Sequence, residues 1–136
     1  MEEAFLEQVR RWALETPSVE GALVVGSYAR GTNRPDSDLD LCILTTERDQ
    51  LVEDRAFPAR FGVIQGRQVE QYGACTSVRV WYRGGLEVEF GLVNLSWMAR
   101  PLDAGTKQVL QGGYRVLVDK GRCFTPEPPA AENVTV

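Results

Sequence analysis

The sequence predicts a single α+β domain, a β-sheet flanked by helices, and three observations carry that expectation. Phe5, Leu6, Val9, Trp12 and Ala13 fall at i, i+1, i+4, i+7 and i+8, the spacing of one apolar helix face. Leu39, Leu41 and Ile43 alternate with Asp38, Asp40 and Cys42, the period of two that marks a strand. Val78, Val80 and Tyr82 alternate with Arg79, Trp81 and Arg83 before Gly84-Gly85, a two-residue turn between hairpin strands. At 136 residues the chain is long enough for one core and too short for a catalytic domain plus a full accessory domain.

Taken in order, the first helix stops before Pro17, because proline cannot continue it, and its apolar stripe needs a sheet to cover. Residues 21–25 form a short buried strand leading into Gly26-Ser27, and residues 27–30 open a second helix whose first amides point at whatever lies above the Gly26 turn. The loop 31–35 breaks that helix. After the strand 39–45, a weaker helical pattern through Leu51, Val52 and Ala56 ends near Pro58, and Phe61-Gly62 begins a turn-rich passage with no assigned structure. The hairpin follows, its second strand at 86–90. Asp103 caps a short helix over Val109 and Leu110 that ends at Gly112-Gly113, and 115–118 is a last strand before the turn at 119–121. The tail from Thr125 holds three prolines and reads as flexible.

Composition excludes several classes. A hydrophobic content of 43% and a charged content of 25% are those of an ordinary globular protein. The net charge of -4 argues against tight nonspecific binding to nucleic acid, which needs a basic surface. Nearly all cations are arginines, suited to planar contacts with carboxylate or phosphate. Cys42, Cys75 and Cys123 are widely spaced and histidine is absent, which sets aside a disulfide framework and a zinc site. The N-terminus is acidic and no stretch approaches about 18 apolar residues, so no leader or membrane span is expected and the protein is placed in the cytoplasm.

The chemistry concentrates where Gly26-Ser27 is followed, ten residues later, by Asp38-Leu39-Asp40. Gly26 lets backbone approach a phosphate closely, and Ser27 adds a hydroxyl and an amide at a helix start. Strand alternation points Asp38 and Asp40 the same way. Two such carboxylates repel each other unless a cation or a proton intervenes, and phosphoryl transfer needs carboxylates that hold divalent metals roughly 4 Å apart across the reacting phosphorus.

Gly-Ser, ten residues, Asp-x-Asp resembles the signature of the DNA polymerase β-like nucleotidyltransferase superfamily. The stretch 24–44 is similar to its small bacterial members, including the minimal nucleotidyltransferases and the N-terminal domains of aminoglycoside nucleotidyltransferases. The resemblance implies a nucleotidyltransferase fold with a mixed sheet over residues 1–124, followed by a tail at 125–136. It also implies Mg²⁺-dependent transfer of a nucleoside monophosphate from a nucleoside triphosphate, ATP by default, to a hydroxyl on a small molecule or protein, with pyrophosphate leaving. Gly26 and Ser27 would hold the β and γ phosphates and Asp38 and Asp40 both metals. The family's third carboxylate falls on the hairpin, where Glu87 and Glu89 share a face. Glu89 is favoured, because it sits mid-strand between Val88 and Phe90 while Glu87 lies nearer the turn. By resemblance Glu89 completes one metal site and accepts the acceptor's proton. The family usually carries aspartate there.

Other readings stand beside these. Residues 36–40 resemble the start of a calcium loop, but Leu41 occupies the position that needs glycine. Glu87 and Glu89 also suit an exposed edge that deters aggregation. Arg30 lies at the helix start, within reach of a triphosphate, while Arg34 reads as a solvated loop charge. Arg79, Trp81 and Arg83 offer a stacking platform for a base, against plain packing of Trp81. Trp12 and Trp97 read as core residues and the cysteines as small buried hydrophobes. Larger relatives append a helical domain over the acceptor, for which this chain leaves no room. A helical partner subunit or a second copy of the chain would then roof the site, or the site is open. The rival to an enzyme is a binding module, an antitoxin-like partner of a HEPN-type helical toxin.

Overall fold

The computed structural model describes residues 2–34, 37–98 and 104–120. Helix α1 (Glu2–Glu15) is followed by strand β1 (Val19–Val25), a single helical turn α2 (Gly26–Arg30) and strand β2 (Leu39–Thr45). Next come α3 (Arg48–Glu53), α4 (Ala56–Ala59) and strands β3 (Ile64–Tyr72), β4 (Cys75–Tyr82) and β5 (Glu87–Val93). A 3₁₀ helix (Leu95–Met98), α5 (Ala104–Gln111) and β6 (Tyr114–Asp119) complete the described chain. The six strands lie in the order β3-β4-β5-β2-β1-β6. Neighbours are antiparallel except β2 and β5, which run parallel. The sheet is therefore mixed, as expected for this α+β domain.

The stripe on α1 covers one face of the sheet. Phe5, Leu6, Val9, Trp12 and Ala13 are all buried there against Val24, Leu41, Ile43, Val80 and Phe90. Phe57 of α4 stacks on Trp12 with ring centroids 4.7 Å apart and meets Phe90 edge-on at 5.0 Å. Each such fully buried side chain contributes about 1.5–3 kcal/mol. The alternate residues of the same strands, Leu23, Cys42, Leu44 and Val93, face the other side, where Trp97 covers part of them. The two faces thus differ in closure, and the site lies on the second.

Where the observed elements differ from expectation, the cause is local. β1 starts at Val19 rather than 21, and β5 continues to Val93. The weak helix through Leu51 to Pro58 is two helices, broken where Asp54 turns extended and its Oδ1 accepts the Ala56 amide at 2.9 Å. Pro58 lies inside α4, in a first turn where its missing N–H has no partner to lose. The unassigned passage after Gly62 holds the nine-residue strand β3. Most of β3 is exposed at the sheet edge, and a register shift between Ile64 and Gly66 breaks its period, so no alternation marked it. Leu39 and Asp40 pair in the sheet as a strand, not as part of a calcium loop. The Asp103 cap, Cys123 and the tail 125–136 lie outside the described residues. No helix among those described is long and apolar enough to cross a membrane.

Candidate active site

Strand register arranges the second face as a grid. Val25 on β1 pairs with Asp40 on β2, Asp40 with Glu89 on β5, and Glu89 with Arg79 on β4. The next row runs Leu23, Cys42, Gly91, Ser77. Asp38 precedes β2 by one residue and, by alternation, shares Asp40's side. The structure brings Asp38, Asp40 and Glu89 together with ligand oxygens all within 4.8 Å of one another. Glu87, the alternative third carboxylate, is not part of that triad.

The turn after β1 explains the Gly-Ser position. Gly26 has φ +73°, and a Cβ there would come within 2.5 Å of Asp40 Oδ2. Glycine is required twice, by the left-handed backbone and by the carboxylate pressed against it. Ser27 follows, half-buried in α2. Arg30 is exposed and donates from Nη1 to the Gly112 carbonyl at 3.1 Å, tying α2 to the end of α5.

Electrostatics distinguish the three acids. Asp40 Oδ1 is buried with no hydrogen-bond partner. Burial, then the charge of Asp38 and the contact with Glu89, push the Asp40 carboxyl up to about 8. An orphaned, hard oxygen donor among three clustered carboxylates fits a divalent cation such as Mg²⁺.

Arg79 is the residue that sequence reasoning misplaced. It is no stacking platform: its guanidinium lies inside the acidic cluster, only 18% exposed. Nη1 donates to Glu87 Oε2 at 2.7 Å and to Asp38 Oδ2 at 3.1 Å, Nη2 to Glu89 Oε2 at 3.0 Å, and Nε to Glu70 Oε1 at 3.4 Å. Burial by itself would lower its pKa, but the bond to Glu87 and the charge of Glu89 more than reverse that, and the net direction is upward. The Tyr72 hydroxyl donates to Glu70 at 2.7 Å and, with Arg79, holds the Glu70 carboxyl below its ordinary value. A two-residue turn at Gly84-Gly85 would set Arg79 opposite Phe90; instead the Tyr82 N–H donates to the Leu86 carbonyl at 2.9 Å, the loop holds three residues, Arg83 to Gly85, and Arg79 falls opposite Glu89. Trp81 instead packs over Gly66, whose added Cβ would sit 3.2 Å from the indole.

Beside the triad opens a cavity of about 730 Å³, walled by the sheet face, the β3–β4 turn and α5. Asp40, Glu89, Gly26 and Arg30 line it together with Ser77 and Trp97. Cys42 and Cys75 also line it; burial pushes both thiols up, that of Cys75 to about 11, so they stay neutral wall groups. Among the described residues, neither Ser27 nor Arg34 lines this cavity.

A family model described as a nucleotidyltransferase domain matches residues 4–83. That span holds Gly26, Ser27, Asp38, Asp40 and Arg79 and ends before Glu89. No curated protein matches the chain. Among solved structures, the chain is similar to an aminoglycoside 6-adenyltransferase from Bacillus subtilis, with TM-score 0.53 and 13% identity over 68% of this chain and 36% of that one. It is also similar to a cytoplasmic RNA terminal U-transferase, with TM-score 0.50 and 20% identity over 67% of this chain and 28% of that one. At these identities the likeness is one of fold, and the chain spans about a third of the length of those structures.

Proposed function

We propose that this chain, which belongs to the nucleotidyltransferase domain family, transfers a nucleoside monophosphate from a nucleoside triphosphate to a hydroxyl acceptor, with ATP as the default donor. The observation that supports this reading is the triad of Asp38, Asp40 and Glu89, drawn from adjacent parallel strands beside a Gly26 turn that admits no side chain. These three carboxylates would hold Mg²⁺, two ions sharing Asp38 and Asp40, with Glu89 on the catalytic one. The bound metal supplies charge neutralisation on the triphosphate and stabilises the oxygens of an in-line displacement.

The chain's own groups do the rest. The Gly26 backbone and Ser27 receive the β and γ phosphates, and Arg30 stands at the cavity wall near them. The acceptor oxygen bonds to the α-phosphorus while the bridge from the α- to the β-phosphate breaks, and pyrophosphate departs. Glu89 takes the acceptor's proton and passes it to water. Arg79 keeps Glu89 and Asp38 in place throughout.

Pyrophosphate release under Mg²⁺ and ATP tests this directly. Asp38→Ala and Asp40→Asn are each expected to lower it by more than about 100-fold, beyond what loss of a supporting partner costs, with circular dichroism unchanged. Turnover at the parent rate in either variant sinks the reading. The binding-module alternative gains nothing from the fold or from these comparisons.

A further inference from the structure

We propose that the cavity beneath the triad is the acceptor pocket, and that it takes a compact, uncharged molecule carrying its hydroxyl on an apolar body. This inference rests on the nucleotidyl-transfer reading above. The placement follows from in-line displacement, which puts the attacking and leaving oxygens on opposite sides of phosphorus. Pyrophosphate belongs with Gly26 at the end of β1, and the carboxylates occupy β2 and β5. The acceptor must therefore come from the β4 side. β4 stands three strands from β1, about 14 Å at the usual strand spacing of 4.7–4.9 Å.

On that side the structure shows a polar group with nothing to bind. Ser77 is 1% exposed and lines the cavity, and its Oγ has no hydrogen-bond partner. A buried hydroxyl left unpaired is costly, and a ligand hydroxyl or carbonyl would satisfy it. Ser77 pairs across the sheet with Gly91, where the missing side chain makes room for the Cys75 thiol, 3.0 Å from where a Cβ would stand.

The rest of the wall sets the chemical class. Cys42, Val93, Trp97 and Val109 present neutral or apolar surface. Its volume of about 730 Å³ is shared with the phosphate end at Gly26 and Arg30, which leaves the Ser77 end room for a compact molecule. The cations lining it are Arg30 and Arg79, one bonded to the Gly112 carbonyl and the other to four carboxylates. Among the described residues, no aligned basic track lines the cavity for a nucleic-acid strand, which needs one. Among the described residues the acids lining it are Asp40 and Glu89, which on this reading hold metal, so these residues offer a polyamino sugar no free carboxylate along the wall.

The test is NMR on the full chain with Mg²⁺, following the amides of Cys42, Ser77, Gly91 and Thr106. Three probe sets are titrated: aromatic and alicyclic alcohols, a polyamino sugar, and a short oligoribonucleotide. The alcohols are expected to shift these amides. Ser77→Val, which removes the hydroxyl at constant shape, and Val109→Trp, which fills the pocket from a half-exposed helix position, are each expected to weaken that binding at least tenfold. A nonhydrolysable triphosphate should bind both variants within twofold of the parent. Preferential binding of the amino sugar or the oligonucleotide at these amides, or alcohol binding indifferent to both substitutions, overturns the pocket assignment. Failure of the parent to bind the triphosphate with Mg²⁺ overturns the nucleotidyl-transfer reading instead.

Discussion

At the scale of single residues the site is governed by where its charges are neutralised. Asp38 and Glu89 each accept a bond from Arg79, whereas Asp40 has an orphaned oxygen and a carboxyl pushed up to about 8. The folded state therefore favours protonated Asp40, which lies far above its ordinary value of 3.8. Its contribution to stability is complete below about pH 4 and is lost as pH rises to about 8, because over that interval the native state holds a proton the unfolded state does not bind; above it the dependence ends. In EDTA the unfolding midpoint should fall between about pH 5 and 8 and level off above that. Asp40→Asn, which mimics the neutral acid, should flatten that fall. Mg²⁺ should stabilise the parent more at pH 9 than at pH 6, since proton and metal compete for one carboxylate. A metal-free midpoint that rises over this interval, or an undiminished slope in the variant, contradicts the assignment.

At the scale of elements, the β4–β5 hairpin does most to build the site. Gly84 and Gly85 both have positive φ, 99° and 103°, in a three-residue loop, Arg83 to Gly85, that the Tyr82 N–H closes on the Leu86 carbonyl at 2.9 Å. The turn sets the register, and the register sets Arg79 against Glu89. Arg79→Gln leaves partly buried carboxylates on β2, β3 and β5 facing one another. Because these acids are 21–37% exposed, the expected loss is about 1–3 kcal/mol, below the range for a fully buried pair. Urea unfolding should show that loss in EDTA and a smaller one in Mg²⁺, while equal losses in both would separate Arg79 from the metal site. The hairpin, the Asp-x-Asp strand, the amphipathic first helix and the Gly26 turn were legible because each follows a short-range rule of period or turn chemistry. β3 was not, because an exposed edge strand with a register shift leaves no alternation to read. Arg79 was legible in neither register nor role: the three-residue loop, not a two-residue turn, sets it against Glu89, and its partners Asp38, just before β2, and Glu70 on β3 meet it only in the assembled sheet.

At the scale of the whole molecule, the sheet has one face sealed by α1 and aromatic rings and another left partly open above a row of acids. The sealed face holds six strands rigid enough to fix carboxylate oxygens within 4.8 Å of one another. On the proposed function, the open face would admit a triphosphate and an acceptor from opposite sides of the triad. The division follows from sequence: odd-numbered Leu39, Leu41 and Ile43 enter the core, while even-numbered Asp38, Asp40 and Cys42 face the cavity side. The most direct test of the central claim is anomalous diffraction from crystals soaked with Mn²⁺ and a nonhydrolysable nucleoside triphosphate. The expected result is metal bonded to oxygens of Asp38, Asp40 and Glu89, with the terminal phosphates on the Gly26-Ser27 turn. Metal bound elsewhere, or a triphosphate seated with no metal between those three carboxylates, would contradict it.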